Sequence, residues 1–175
     1  MSKQRAEPVI NSLADLMAVA YQIEVDAVER YTMLADQMDV HNNAELAGIF
    51  RDLARAEGIH AEGIRSMAGD IDTSRALEIA RFQRGDSPEE ADMGAAHYKM
   101  TPWHALQLAL ECEKRALAYF TSITEKAKDS KMKEMAAEFM EEEAEHVNLV
   151  YRLLKRYPQP DDTWADDPDP PAPQG

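Results

Sequence analysis

Cysteine is almost missing from this chain: among 175 residues there is one, Cys112. That excludes a disulfide framework, a cysteine-ligated zinc site and an iron–sulfur cluster. Glycine is scarce at seven residues and aromatics make up 7%. No apolar run approaches the roughly 20 residues that a membrane-spanning helix needs. The first ten residues, MSKQRAEPVI, hold no apolar signal region, so the expected compartment is the reducing cytoplasm. Basic charge is in deficit, with 19 Lys and Arg against 33 Asp and Glu and a net charge of −14. Nucleic acid and anionic membrane are therefore excluded as partners, because phosphate binding needs a basic footprint.

What is present is 45% hydrophobic and 30% charged residues, enough for one folded domain with a sizeable core. Ala, Leu, Met, Glu and Lys dominate, and the apolar periodicity is helical. The first long helix starts after Pro8 with Ser12 as N-cap and Asp15 three residues on. Its stripe runs Leu13, Met17, Ala20, Glu24, Ala27, Tyr31, Leu34, Met38. DVHNN (39–43) is a turn. The second helix carries Leu46, Ile49/Phe50, Leu53, Glu57, His60, Ile64 and Met67 and stops at Gly69. Residues 70–100 read as a long crossover with short helices: RALEIARFQRG ends at Gly85, and Ser87-Pro88 starts another. Thr101-Pro102 opens a third long helix, about 102–126, and AKDS (127–130) turns the chain into a fourth, about 131–156.

The predicted fold is an all-α four-helix bundle, two antiparallel hairpins joined by the crossover, with the turns at 39–43 and 127–130 expected at the same end. Its parts are an N-terminal arm (1–11), the bundle (12–157) and a C-terminal tail (158–175). That tail holds six Pro, and five Asp lie in 161–175; Trp164 is its one large apolar anchor, expected to seat in an apolar groove of this or a second subunit.

The anomaly is the position of the acids. Glu24, Glu57, His60, Glu143 and His146 occupy stripe positions that should be apolar, where an ionised carboxylate costs several kcal/mol unless paired or metal-bound. Glu57-Gly-Ile-His60 and Glu143-Ala-Glu-His146 are both Glu-x-x-His, so each offers an oxygen and an imidazole from one helix face. Glu24 precedes Glu57 by 33 residues, and Glu111 precedes Glu143 by 32. Each lone Glu and its Glu-x-x-His are symmetric about the intervening turn, so an antiparallel pair sets them at equal height, about 25 Å of helix from that turn. Four carboxylates and two imidazoles match two divalent cations; iron or manganese suits the set, and zinc can occupy it. Glu113 is expected on another face, and Glu141, Glu142 and Glu145 on the solvated face of the fourth helix, with guidance of cations inward as their alternative role.

The order Glu…Glu-x-x-His…Glu…Glu-x-x-His, carried by IEVDAVERYTMLA, RAEGIHAEGI, LECEKRALAYF and MEEEAEHVNLV, resembles the ferritin-like di-iron carboxylate superfamily, and within it the rubrerythrin-like branch. The resemblance implies two irons in the bundle and reduction of peroxide or dioxygen; iron oxidation for storage is the alternative activity, and a structural bundle with incidental metal the third. It also implies that Tyr31 and Tyr119 stand near the metals. Two departures are visible. There is no rubredoxin domain with paired Cys-x-x-Cys, so the electron donor is expected to be a separate protein or a small reductant. Lys114 stands three residues after Glu111, where rubrerythrins carry a further Glu. A homodimer or higher homo-oligomer is expected.

Overall fold

The computed structural model describes residues 10–84 and 100–161, without the side chains of 79–84. Among these residues five helices run in the order α1 (Leu13–Val40), α2 (Ala44–Ala68), α3 (Thr73–Arg84), α4 (Pro102–Lys126) and α5 (Ser130–Leu154). Among the described residues there is no strand, and no helix is long and apolar enough to cross a membrane. The helix start at Ser87, the tail beyond 161 with Trp164, and most of the N-terminal arm lie outside the described residues.

Each long helix begins where a side chain satisfies a free backbone N–H. Ser12 Oγ accepts from Asp15 N at 3.1 Å, while Asp15 reaches back to accept from Asn11 N at 3.0 Å. Asn43 accepts from Leu46 N at 3.0 Å and opens α2. Thr101 accepts from the His104 amide with Pro102 in the first turn of α4, and Asp129 accepts from Met132 N at 2.8 Å to open α5. Asn42 takes a positive φ of 56° in the first turn, a conformation that Asn tolerates better than most residues. Gly69, at φ 71°, ends α2.

α1 packs along α2, α4 along α5, and α3 lies against α1. The extra cover from α3 explains why Leu16, Met17, Ala18, Val19 and Ala20 are all buried, a run wider than one helical stripe. Met67, expected on the α2 stripe, is exposed.

The core divides into two apolar clusters. One joins Ala27–Met38 of α1, Leu46–Leu53 of α2, Ala105–Leu110 of α4 and Val147–Leu153 of α5. The other joins Leu16–Ala20, Ile64, Phe120 and Met132–Phe139. The first gathers the end of α1 and the start of α2 with the start of α4 and the end of α5. The α1–α2 and α4–α5 turns therefore lie at opposite ends of the bundle, which corrects the expectation that they share one. The reason is the crossover. It leaves α2 at one end and returns the chain at Met100, which belongs to the same apolar cluster as Met38 at the other. Across this end, Arg156 after α5 pairs with Glu45 at the start of α2.

Candidate metal centre

Between the two apolar clusters each long helix contributes one buried acid. Glu24 falls between Ala20 and Ala27, Glu57 between Leu53 and Ile64, Glu113 between Leu110 and Phe120, and Glu143 between Phe139 and Val147. His60 and His146, one turn after Glu57 and Glu143, lie over the same layer. Their rings stack in parallel, with centroids 5.7 Å apart and planes 7° from parallel.

Glu57 stands between the two imidazoles and turns one oxygen to each. His146 Nδ1 is 3.2 Å from Glu57 Oε1, and His60 Nδ1 is 3.4 Å from Glu57 Oε2. Despite these distances, both Glu57 oxygens and both Nδ1 atoms are buried without a hydrogen-bond partner. Buried polar atoms are normally satisfied, and leaving them otherwise costs about 1–3 kcal/mol each. Converging donors of this kind are what a cation coordinates. Among the described residues, three sets each bring donor atoms within 4.8 Å of one another: Glu57, His60 and His146; Glu113, Glu143 and His146; Glu24, His60 and Glu142. The residues present thus fit two ions sharing Glu57, one on the His60 side with Glu24 and one on the His146 side with Glu113 and Glu143.

The acid that α4 supplies is Glu113. Glu111, the residue expected from the 32-residue spacing, is exposed on the outer surface. The two positions are two residues apart, or about 200° around a helix, so if one faces the core the other faces water. The position three residues after Glu113 is Ala116, and no carboxylate stands there either. Lys114 is exposed, with Nζ 4.9 Å from the centre of the Tyr151 ring.

Glu113 has a built environment that the sequence did not disclose. The buried Tyr31 hydroxyl and Arg30 Nη2 both donate to its Oε1, the latter at 3.2 Å, and His146 Nδ1 lies 3.6 Å from its Oε2. The Arg30 guanidinium also sits 5.3 Å from the Tyr31 ring centre. Burial alone would raise the Glu113 carboxyl, but His146, Arg30 and Tyr31 together hold it down at about 2. Glu24 and Glu143 titrate the opposite way. Burial, then the neighbouring Glu57, push Glu24 up to about 10. Burial, then Glu113, push Glu143 up to about 11. The Glu57 carboxylate raises His60; His146 is raised by Glu113 and Glu57 against the effect of its burial. In the absence of metal, burial and their acidic neighbours thus favour the protonated form of Glu24 and Glu143.

Of the two tyrosines, Tyr31 reaches the layer of acids through Glu113. Tyr119 packs in the second apolar cluster, its ring 5.4 Å from that of Phe120. His104 is half-buried at the start of α4, where Thr101 Oγ1 is 2.7 Å from its Nδ1, and His41 sits at the end of α1.

Comparison with known proteins bears on the family and the fold. Residues 15–96, which include Glu24, Glu57 and His60, match the family model described as Rubrerythrin. Among solved structures, an uncharacterized conserved protein from Magnetospirillum magnetotacticum MS-1 is 33% identical, with a TM-score of 0.70 over 86% of this chain and 99% of its own. No curated protein matches the sequence.

Proposed function

We propose that this chain, which belongs to the rubrerythrin-like branch of the ferritin-like superfamily, is a di-iron oxidoreductase that reduces peroxide or dioxygen with electrons from an external donor. The observation that carries the reading is Glu57, buried between two parallel imidazoles with an unpartnered oxygen facing each. Glu24 and His60 would hold one ion, Glu113, Glu143 and His146 the other, and Glu57 both. When bound, two irons supply the two electrons that convert one peroxide and two protons into two waters.

The chain's own residues have definable tasks around that chemistry. Arg30 and Tyr31 fix one oxygen of Glu113, so the carboxylate keeps its orientation and charge while its other oxygen faces the His146 side. The apolar clusters on either side of the acid layer exclude bulk water along the bundle axis. His60, partly exposed, is the imidazole nearest to solvent. Tyr31 is thus a positioning residue for a ligand. With a single cysteine the chain has no thiol set of its own to relay electrons, so the donor is read as a separate protein or small reductant. We place the activity in the reducing cytoplasm and in a homo-oligomer.

Peroxide consumption tests the proposal. Iron-loaded protein, reduced anaerobically and given hydrogen peroxide, should consume it repeatedly while reductant lasts. If peroxide is not consumed but Fe(II) is oxidised and retained as ferric mineral, the iron-storage alternative replaces it. Iron uptake without either activity would leave a structural bundle.

A further inference from the structure

The centre is closed on one side and open on the other. On the Glu113 side, Arg30 places a guanidinium 3.2 Å from the carboxylate and over Tyr31, so an approaching cation meets positive charge and a buried ring. On the His60 side, exposure falls in steps. Glu142, one residue before Glu143 on α5, is exposed. His60 is 30% exposed, Glu24 3% and Glu57 1%. Donor atoms of Glu142, His60 and Glu24 lie within 4.8 Å of one another, and behind them both oxygens of the buried Glu57 lack a partner, as does His60 Nδ1.

We propose that Glu142 is the solvent-side carboxylate through which metal ions load the centre. It takes the hydrated cation first and passes it to His60 and Glu24, and through them to Glu57. This inference rests on the di-metal reading above and adds a direction of access to it. The chemistry favours a stepwise path. A divalent ion surrenders its waters one or two at a time, and an exposed carboxylate can replace one water while the others remain. An exposed side chain also moves without disturbing the packed core, unlike the four buried acids. Glu142 carries the negative charge that attracts the ion, whereas Arg30 opposes approach from the other side.

The test is the loading rate of metal-free protein with Co(II) as the probe, followed by the visible absorption of the bound ion, with content measured after desalting. Glu142→Gln is compared with Glu145→Gln, which removes the same charge from an exposed position on the same helix outside the donor group. Glu142→Gln should load about tenfold more slowly and still reach two ions per chain, while Glu145→Gln loads like the parent. Equal rates for the parent and Glu142→Gln, or equal slowing in both variants, would overturn the transfer role. A fall to one ion in Glu142→Gln would also overturn it, by making Glu142 a resident ligand. A parent that binds no Co(II) would remove the di-metal reading itself, and this inference with it.

Discussion

Replacing Tyr31 by Phe removes one oxygen atom from a side chain with no solvent exposure and leaves its ring in place. The stack on Phe50, with centroids 5.9 Å apart, is retained, so the packing loss is small. What disappears is the hydroxyl's hydrogen bond to Glu113. Glu113 is ionised in the core, and a hydrogen bond to a charged acceptor contributes about 1.5–3 kcal/mol. Arg30 remains as a donor to the same oxygen, so the carboxylate is weakened rather than abandoned. For a chain of this length, 1 kcal/mol moves the thermal midpoint by about 2–4 °C. Metal-free Tyr31→Phe should therefore melt about 3–12 °C below the parent at pH 7. The sign with pH is fixed by Glu113. A depressed carboxyl stabilises the native state above the unfolded value near 4.5 and loses that contribution as pH falls towards about 2. The difference between variant and parent should accordingly shrink on acidification. Tyr151→Phe, on an exposed ring, is the control and should melt with the parent. A shift below about 1 °C at pH 7 for Tyr31→Phe would refute the claim that Tyr31 holds an ionised Glu113.

Three further outcomes follow from the same geometry. Glu113→Gln should lose the ion on the His146 side while Glu111→Gln keeps both, as elemental analysis of loaded protein would record; the reverse pattern would restore Glu111 as the ligand. The raised carboxyls of Glu24 and Glu143 make metal-free stability fall as pH rises from about 4.5 towards 10, because the unfolded chain ionises them and the native core does not. Urea melts across that window check the slope, and calorimetry in buffers of different ionisation enthalpy should show proton release when metal binds at pH 7. Gly63→Ala should raise stability by about 0.5–1 kcal/mol, since a Cβ there meets nothing within 4 Å and the helix gains propensity; a loss in denaturant melts would mean that α2 is not helical there.

The long helices were legible because their signals are local. Ser12, Asn42-Asn43, Gly69 and Thr101-Pro102 mark boundaries through capping and backbone chemistry that need no tertiary context. The candidate site was legible where two residues of one helix reinforce each other, as Glu57 with His60 and Glu143 with His146. It failed at the lone acid of α4. Symmetry about the turn fixes height along the bundle, and moving from Glu111 to Glu113 changes that height by only about 3 Å. Helical phase separates the two by half a turn of the circle, and the run Leu106, Leu110, Glu113, Leu117, Phe120 carries that phase in steps of three and four. The signal was present in the sequence, but the matching spacings of 33 and 32 residues point to Glu111 instead. The exposure of Glu142 was legible, but its place beside His60, like the role of Arg30, was not. Both look like ordinary surface charges until the fold brings them to residues 83 and 82 positions away, Glu113 and His60. The placement of the two turns was missed for a related reason. It depends on where the crossover returns the chain, which is a tertiary fact.

The central claim is that Glu57 joins two metal ions inside this bundle. It is tested most directly by elemental analysis of the parent and of Glu57→Ala, each loaded anaerobically with Fe(II) and desalted, with circular dichroism to confirm that both are folded. The account predicts two irons per chain in the parent and loss of most of both in Glu57→Ala, because this carboxylate faces both imidazoles. A parent that holds fewer than two, or a folded Glu57→Ala that keeps two, would contradict it.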